Sequence, residues 1–119
     1  MGQVSAKMRR ATAGYGWFCP ACEEMHPLPD AWDFDGNVDK PTFSPSFRHG
    51  SMQTIKIDGR WTGEWVRDAA GKPVKRVCHY IITKGIVQYC GDCTHALAGQ
   101  SVEMPDLPAW ARDDNGGGA

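Results

Sequence analysis

Apolar and polar residues alternate with a period of two in several short stretches of this chain, as they do in half-buried β-strands. The clearest case is VKRVCHYIIT, followed by Lys84 and Gly85 and then by IVQYC. Two apolar runs separated by two turn-forming residues predict an antiparallel hairpin in which Thr83 faces Ile86. This pairing determines which of the later side chains lie close to each other.

A second hairpin is predicted by residues 52–57 and 61–67, which flank a turn at Asp58 and Gly59. The 14 Gly and 8 Pro residues indicate many further turns. Only residues 94–98 suggest a short helical turn, and no long amphipathic helix is indicated. The predicted fold is therefore mainly β (small α+β), a compact antiparallel β domain built from hairpins around a metal site.

A chain of 119 residues with 41% hydrophobic residues is long enough for one modest core. We predict a single domain over residues 15–110. The polar residues 1–14 are predicted to form a flexible N-terminal segment, and residues 111–119 a flexible Gly-rich tail. Small cores of this kind often gain stability from a bound metal ion.

The net charge and the lack of long apolar runs limit the kinds of partner and the location that we expect. Thirteen Lys and Arg residues against 14 Asp and Glu residues give a net charge of −1, which argues against a nucleic-acid partner. No apolar run approaches the roughly 18 residues of a membrane span, and the N-terminus lacks the apolar core of a signal peptide. We therefore expect a soluble, intracellular protein that does not contact a membrane.

The stretch FCPACEEMHPLP contains Cys19 and Cys22, two of the five cysteines. An odd number of cysteines in an intracellular chain argues against a disulfide framework. The two prolines after Cys22 exclude the long helix that follows a thioredoxin-like redox pair. A metal site is the better interpretation of this spacing.

The predicted hairpin places Cys78 opposite Gly91 and therefore close to Cys93. Four thiolates suit tetrahedral zinc, so the predicted Zn²⁺ ligands are those of the two cysteine pairs, Cys19, Cys22, Cys78 and Cys93. Four more residues are alternative ligands or groups that support a ligand: His26, His79, His95 and Asp92. Because side chains alternate along a strand, His79 is expected on the opposite face from Cys78.

Aromatic residues form another notable group. Trp61 and Trp65 lie on one face of a predicted strand between Arg60 and Arg67. They belong either to the core or to a binding surface, since exposed Trp and Arg are enriched at the centres of protein interfaces. We interpret them as a binding surface.

Three blocks of the sequence resemble a family of small bacteriophage and prophage proteins of unknown function. The blocks are FCPACEEMHPLPDAW, PTFSPSF and CHYIITKGIVQYCGDCTHALAGQSVEMPDLP. The resemblance covers residues 15–110 and implies a phage origin and a compact zinc-bearing fold, without catalytic residues to transfer. Some members of that family are labelled ammonia monooxygenase, a membrane copper enzyme, whereas this chain has no span.

The predicted function is that of a phage-encoded accessory protein in the host cytoplasm, which binds a host or phage protein and carries a structural zinc. The sequence indicates no catalytic residues and no oligomeric state. The alternative is a small zinc-dependent hydrolase or deaminase-like enzyme, whose candidate groups are Glu23, Glu24, His26, Asp92 and His95. The His-x-Glu motif of zinc deaminases is absent, which favours a binding protein over an enzyme.

Overall fold

A computed structural model describes residues 2–58 and 60–112. These residues form ten β-strands and one 3₁₀ turn: β1 Met8–Ala11, β2 Gly14–Cys19, β3 Glu24–Pro29, β4 Asp33–Phe34, β5 Phe43–Met52, β6 Thr54–Ile57, β7 Arg60–Trp65, β8 Lys75–Thr83, β9 Ile86–Tyr89, β10 Ser101–Glu103 and the turn Ala109–Ala111. Within this part of the chain, no helix has the length and apolar character needed to cross a membrane.

The strands form three sheets in which every pairing is antiparallel. Strands β1, β2 and β3 make a three-stranded sheet, and a five-stranded sheet has the order β10-β9-β8-β5-β4. Strands β6 and β7 form a separate two-stranded sheet. The prediction of a mainly β fold built from hairpins is confirmed.

The hairpin of β8 and β9 has the predicted register, with Thr83 paired to Ile86 and Tyr80 to Tyr89. Its two turn residues, Lys84 and Gly85, have φ angles of 48° and 78°. Positive φ at both positions matches the right-handed twist of the strands, so a two-residue turn joins them without splaying.

The core lies where the three-stranded sheet meets the five-stranded sheet. Trp17 of β2 packs edge-on against Tyr80 of β8, with ring centroids 5.1 Å apart, and its indole N–H donates to the Tyr80 hydroxyl at 3.1 Å. Both side chains are fully buried. The hydroxyl and the indole N–H satisfy each other, so these large rings fill the core without leaving unpaired polar atoms.

Strand β1 lies within the N-terminal segment 1–14. It pairs with β2, Met8 opposite Trp17, and the side chain of Met8 is fully buried. A single deeply buried apolar residue among polar and basic neighbours gives little periodicity, which is why composition places this segment outside the domain. Residues 113–119 of the predicted Gly-rich tail lie outside the described residues.

Candidate functional site

The turn between β2 and β3 presents two thiols to the interior. Cys19 ends β2 opposite Glu24, and the N–H of Glu23 donates to the Cys19 carbonyl at 2.8 Å to close the turn. The N–H of Cys22 donates to Cys19 Sγ at 3.4 Å. Both cysteines are buried. The CPAC sequence therefore folds as a tight turn that directs its two sulfur atoms to one place.

His26 adds a nitrogen ligand to the two thiols. It pairs with Trp17 across the β2–β3 ladder, and side chains two residues apart share a face, so it lies on the same side of the sheet as Cys19. The residue is 3% exposed and its Nε2 atom has no hydrogen-bond partner. A buried ring nitrogen without a partner costs folding free energy, and this nitrogen could bind a metal ion.

Cys78 reaches the same place from β8 in the other sheet. Its sulfur lies 4.0 Å from that of Cys19, and the ligand atoms of Cys19, Cys22, His26 and Cys78 all lie within 4.8 Å of one another. In a tetrahedral site with bonds of about 2.3 Å, sulfur atoms are roughly 3.8 Å apart. The four residues therefore fit a tetrahedral metal ion that connects the two sheets.

The thiols of this cluster influence one another strongly. Hydrogen bonds from Cys22 and Cys78 lower the pKa of Cys19, whereas the Cys19 sulfur raises the pKa of Cys22 to about 12 and also raises that of Cys78. One thiolate is thus stabilised by two protonated neighbours. A divalent cation would replace those protons and allow all three sulfurs to ionise.

Cys93, the fourth predicted ligand, lies elsewhere. Its sulfur accepts a hydrogen bond from the His79 N–H at 3.2 Å and contacts the His79 carbonyl at 3.1 Å. The chain turns directly after β9, where the Cys93 N–H donates to the Cys90 carbonyl at 3.3 Å. This turn directs Cys93 to the backbone of β8. The fourth member of the buried cluster is His26, at the position predicted for Cys93.

His95, another predicted alternative, lies close behind the cluster. Its Nδ1 accepts a hydrogen bond from the Leu97 N–H at 3.2 Å, and its ring packs edge-on against Tyr89 at 4.7 Å. The hydroxyl of Tyr89 is in turn 3.1 Å from the Cys19 sulfur. Burial lowers the pKa of His95. His95 therefore contacts the cluster through Tyr89.

His49 on β5 was not identified from the sequence. Its ring stacks on His26 with centroids 4.4 Å apart, and its Nε2 is 2.8 Å from the Tyr80 hydroxyl. Burial lowers the pKa of His49 to about 4, so it is neutral at physiological pH. A neutral ring in this position fixes the orientation of His26 without adding charge to the cluster.

A different arrangement occupies the other face of β8. His79 points away from the core, as its alternation with Cys78 predicts, and its Nδ1 lies 3.1 and 3.2 Å from the two carboxylate oxygens of Asp92. Its Nε2 lies 3.3 Å from the hydroxyl of Ser46. Three functional groups thus form a hydrogen-bonded chain that runs from carboxylate to imidazole to hydroxyl.

The position of Ser46 follows from an irregularity in β5. Strands β5 and β8 pair regularly from Phe47 to Met52, with Arg48 opposite His79, but the register shifts between Phe43 and Phe47. Ser46 lies in this shifted stretch, and its carbonyl accepts a hydrogen bond from the Trp32 indole at 3.2 Å. The bulged backbone is thereby held with the Ser46 hydroxyl beside His79.

The chemical roles in this chain follow from its donors and acceptors. An ionised carboxylate only accepts hydrogen bonds, so Asp92 holds the proton of His79 on Nδ1 and leaves the lone pair of Nε2 directed at Ser46. This is the arrangement by which a Ser-His-Asp triad activates its serine. Sequence reasoning identified His79 and Asp92 as polar groups near a metal, and it missed Ser46.

Trp61 and Trp65 lie on the surface of the two-stranded sheet. They are 53% and 41% exposed, and their rings stack with centroids 6.3 Å apart. The indole N–H of Trp61 donates to the Glu64 carbonyl at 2.8 Å, which keeps the ring over its own strand. The pair is therefore not part of the core, and its role as a binding surface stays a prediction.

The chain was compared with known protein families, curated proteins and solved structures. A family model described as bacterial ubiquitination-like system serine protease (BubE) matches residues 1–90. The matched region contains Ser46 and His79 together with all four residues of the buried cluster, and it ends just before Asp92. No curated protein and no solved structure matches the chain.

The family match corrects the function predicted from the sequence. A phage accessory protein that acts by binding a host or phage protein is wrong, because the matching family is named for a bacterial system and for a serine protease. The match supports neither a phage origin nor the alternative of a zinc-dependent hydrolase or deaminase. Since the family model covers residues 1–90 of 119, this chain belongs to the bacterial ubiquitination-like system serine protease (BubE) family.

Proposed function

We propose that the protein is a serine protease in which Ser46 is the nucleophile, His79 the general base and Asp92 the group that orients His79. The observation that carries this proposal is the 3.3 Å separation of Ser46 Oγ and His79 Nε2, with the Asp92 carboxylate on Nδ1 of the same ring. The distance is slightly longer than a productive hydrogen bond, as is usual before substrate binds.

In the first half of the reaction, Ser46 Oγ attacks the carbonyl carbon of the scissile amide. The hydroxyl proton moves to Nε2 of His79, which becomes an imidazolium stabilised by Asp92. The tetrahedral intermediate then collapses, the carbon–nitrogen bond breaks, and the Nε2 proton moves to the leaving amine. The products of this half are the free amine and an ester between Ser46 and the acyl group.

In the second half, water hydrolyses the ester. Nε2 of His79 takes a proton from the water molecule as its oxygen attacks the acyl carbon. The same proton then returns to Ser46 Oγ as the ester bond breaks and the carboxylic acid leaves. The imidazole must be neutral at the start of each half, so that Nε2 has a lone pair for the proton.

The family description supports a protein substrate from a bacterial ubiquitination-like system. The exposure of the site agrees with this, because the side chains of His79 and Asp92 are 26% and 51% exposed. A carbonyl group on a large partner can approach such a surface without entering a deep pocket. We therefore propose that the scissile bond is an amide carried by a protein of that system.

We further propose that the buried cluster holds Zn²⁺ and that this zinc is structural. Four protein ligands, Cys19, Cys22, His26 and Cys78, would complete a tetrahedral sphere and leave no position for a substrate. The cluster also lies on the opposite face of β8 from Ser46 and His79. When bound, the ion supplies four bonds that connect the two sheets, and the proposed hydrolysis takes place elsewhere.

The nucleophile can be tested with a fluorophosphonate probe, which forms a covalent bond with an activated serine. Peptide mapping of the labelled protein should locate the adduct on Ser46. Ser46→Ala should abolish labelling without changing thermal stability. Ser51→Ala is the matched control, because Ser51 is an exposed serine on the same strand, and this variant should be labelled like the native protein. Labelling that persists in Ser46→Ala would disprove the assignment.

A further inference from the structure

The exposed face that carries His79 also contains a thiol. Cys90 directly follows β9, and its N–H donates to the His79 carbonyl at 2.8 Å, so the two residues face each other across the hairpin. The ligand atoms of His79, Cys90 and Asp92 lie within 4.8 Å of one another. Neither the proposed hydrolysis nor the buried cluster uses Cys90.

These three groups form a set of zinc ligands. Imidazole, thiolate and carboxylate bind zinc at about 2.0 to 2.3 Å, and three protein ligands leave a fourth position for water. All three residues lie at the surface, Asp92 being half exposed, so small side-chain movements suffice to close the sphere. The exposure also means that a bound ion exchanges readily with solvent, unlike an ion in the buried cluster.

We propose that His79, Cys90 and Asp92 form a second, exchangeable zinc site, and that zinc bound there reversibly inhibits the protease. The assignment of the site depends only on its own geometry. The inhibition depends on the proposed function of Ser46.

The inhibition follows from competition for the same atoms. Asp92 accepts the hydrogen bond from His79 in the triad, and a zinc ion bound to that carboxylate removes this interaction. The His79 nitrogen beside Asp92 is Nδ1, so zinc bound by this group takes the lone pair of Nδ1. The single proton of the neutral ring then lies on Nε2, which has no lone pair left for the proton of Ser46. His79 then no longer takes the proton of Ser46, and acylation stops.

The experiment uses the full-length protein with its buried cluster loaded, and zinc chloride as the probe. The protein is dialysed to equilibrium against zinc chloride, and elemental analysis measures the zinc that it binds. The rate of fluorophosphonate labelling measures the reactivity of Ser46. Cys90→Ser is the test variant. Cys93→Ser is the matched control, because it makes the same chemical change three residues away, at a sulfur that contacts the backbone of His79 and is not one of the three ligand atoms.

The native protein and Cys93→Ser should bind about two zinc ions per chain. In both proteins, zinc should slow the labelling of Ser46 roughly tenfold or more, and dialysis into zinc-free buffer should restore the rate. Cys90→Ser should bind about one zinc ion, and zinc should leave its labelling rate within about twofold of its own zinc-free rate. Asp92→Asn, examined by zinc stoichiometry alone, should also bind about one ion and gives a second check if Cys90→Ser does not fold.

Two results would overturn the site: a native protein that stays at about one zinc ion per chain, or a Cys90→Ser variant that binds the second ion as well as the native protein does. Equal slowing of labelling in Cys90→Ser and native protein would overturn inhibition through this site. A second ion that depends on Cys90, in a protein that is never labelled, would uphold the site and disprove both the inhibition and the proposed protease.

Discussion

The two faces of β8 carry similar side chains and differ in burial. On the inner face, Cys78 joins two cysteines and His26 in a buried cluster. On the outer face, the adjacent residue His79 joins Ser46 and Asp92 at the surface. Strand alternation alone separates the two sites, because consecutive residues point to opposite faces.

The comparison shows how burial assigns roles to the same kinds of groups. Buried thiols and imidazole are costly without partners, so the inner cluster could hold a metal ion that contributes to folding. The outer histidine is hydrogen-bonded but accessible, so in the proposed reaction it can exchange a proton with a substrate. Substitutions on the inner face should therefore change stability, and substitutions on the outer face should change reactivity.

The largest effects on stability and on reactivity should come from separate substitutions of Cys78 and His79, which are adjacent in sequence and lie on opposite faces of β8. Cys78→Ser should remove the metal and lower the free energy of unfolding by about 4 kcal/mol or more, which is enough to unfold a marginally stable domain. His79→Ala should abolish labelling of Ser46 and change stability by less than about 1 kcal/mol. Thermal melts, metal content and labelling rates measure the two responses. Similar destabilisation by both variants would refute the separation of the faces.

A second pair of variants tests which residues bind the metal on the inner face. His26→Ala should lose metal affinity by about a hundredfold or more, because it opens a four-ligand sphere. Cys93→Ser should retain the metal, since its sulfur contacts the backbone of His79 instead of the cluster. A competition titration with a chromophoric chelator measures both affinities. Loss of metal from Cys93→Ser but not from His26→Ala would reinstate the set of four cysteines.

Asp92→Asn should have a smaller effect, confined to the outer face. The amide keeps the shape of the side chain but removes the charge that stabilises the imidazolium, so labelling of Ser46 should slow by roughly tenfold to a hundredfold. A buried triad aspartate contributes about ten-thousandfold, and solvent around this exposed carboxylate reduces its contribution. The melting temperature should not change. An unaltered labelling rate would show that Asp92 does not orient His79.

The smallest effect on metal content and on labelling of Ser46 is expected in the two-stranded sheet, away from both faces. Replacing Trp61 and Trp65 together by Ala should leave metal content and labelling of Ser46 unchanged, because both half-exposed rings lie outside the core. The free energy of unfolding should fall by no more than about 1 kcal/mol, the contribution of one stacked pair. A melting curve with metal analysis checks this. Unfolding of the double variant would show that the rings support the core.

Local sequence patterns were sufficient to predict the hairpin of β8 and β9. IITKGIVQY contains both the alternation and the two-residue turn, so the register and the opposite orientations of Cys78 and His79 could be derived. The hairpin of β2 and β3 was harder, because prolines interrupt its alternation. Had that hairpin been predicted, the pairing of Trp17 with His26 would have placed His26 beside Cys19.

The position of Ser46 beside His79 could not be predicted from local sequence patterns. No nucleophile motif surrounds Ser46, since the glycines of G-x-S-x-G are replaced by Ser44 and Arg48 in this sequence. Its position beside His79 depends on the pairing of β5 with β8, strands that are separated by more than 20 residues of chain. Pairing over such a distance is set by packing of the whole sheet and leaves no local signal.

The four residues of the buried cluster come from two sheets, which affects the order in which the protein folds. Cys19, Cys22 and His26 lie within one hairpin, so they can gather around an ion after closing only short loops. Cys78 is 59 residues from Cys19 along the chain and must arrive from the other sheet. Long-range contacts form slowly, so we expect an early state with three metal ligands and a late step in which Cys78 completes the sphere and closes the core.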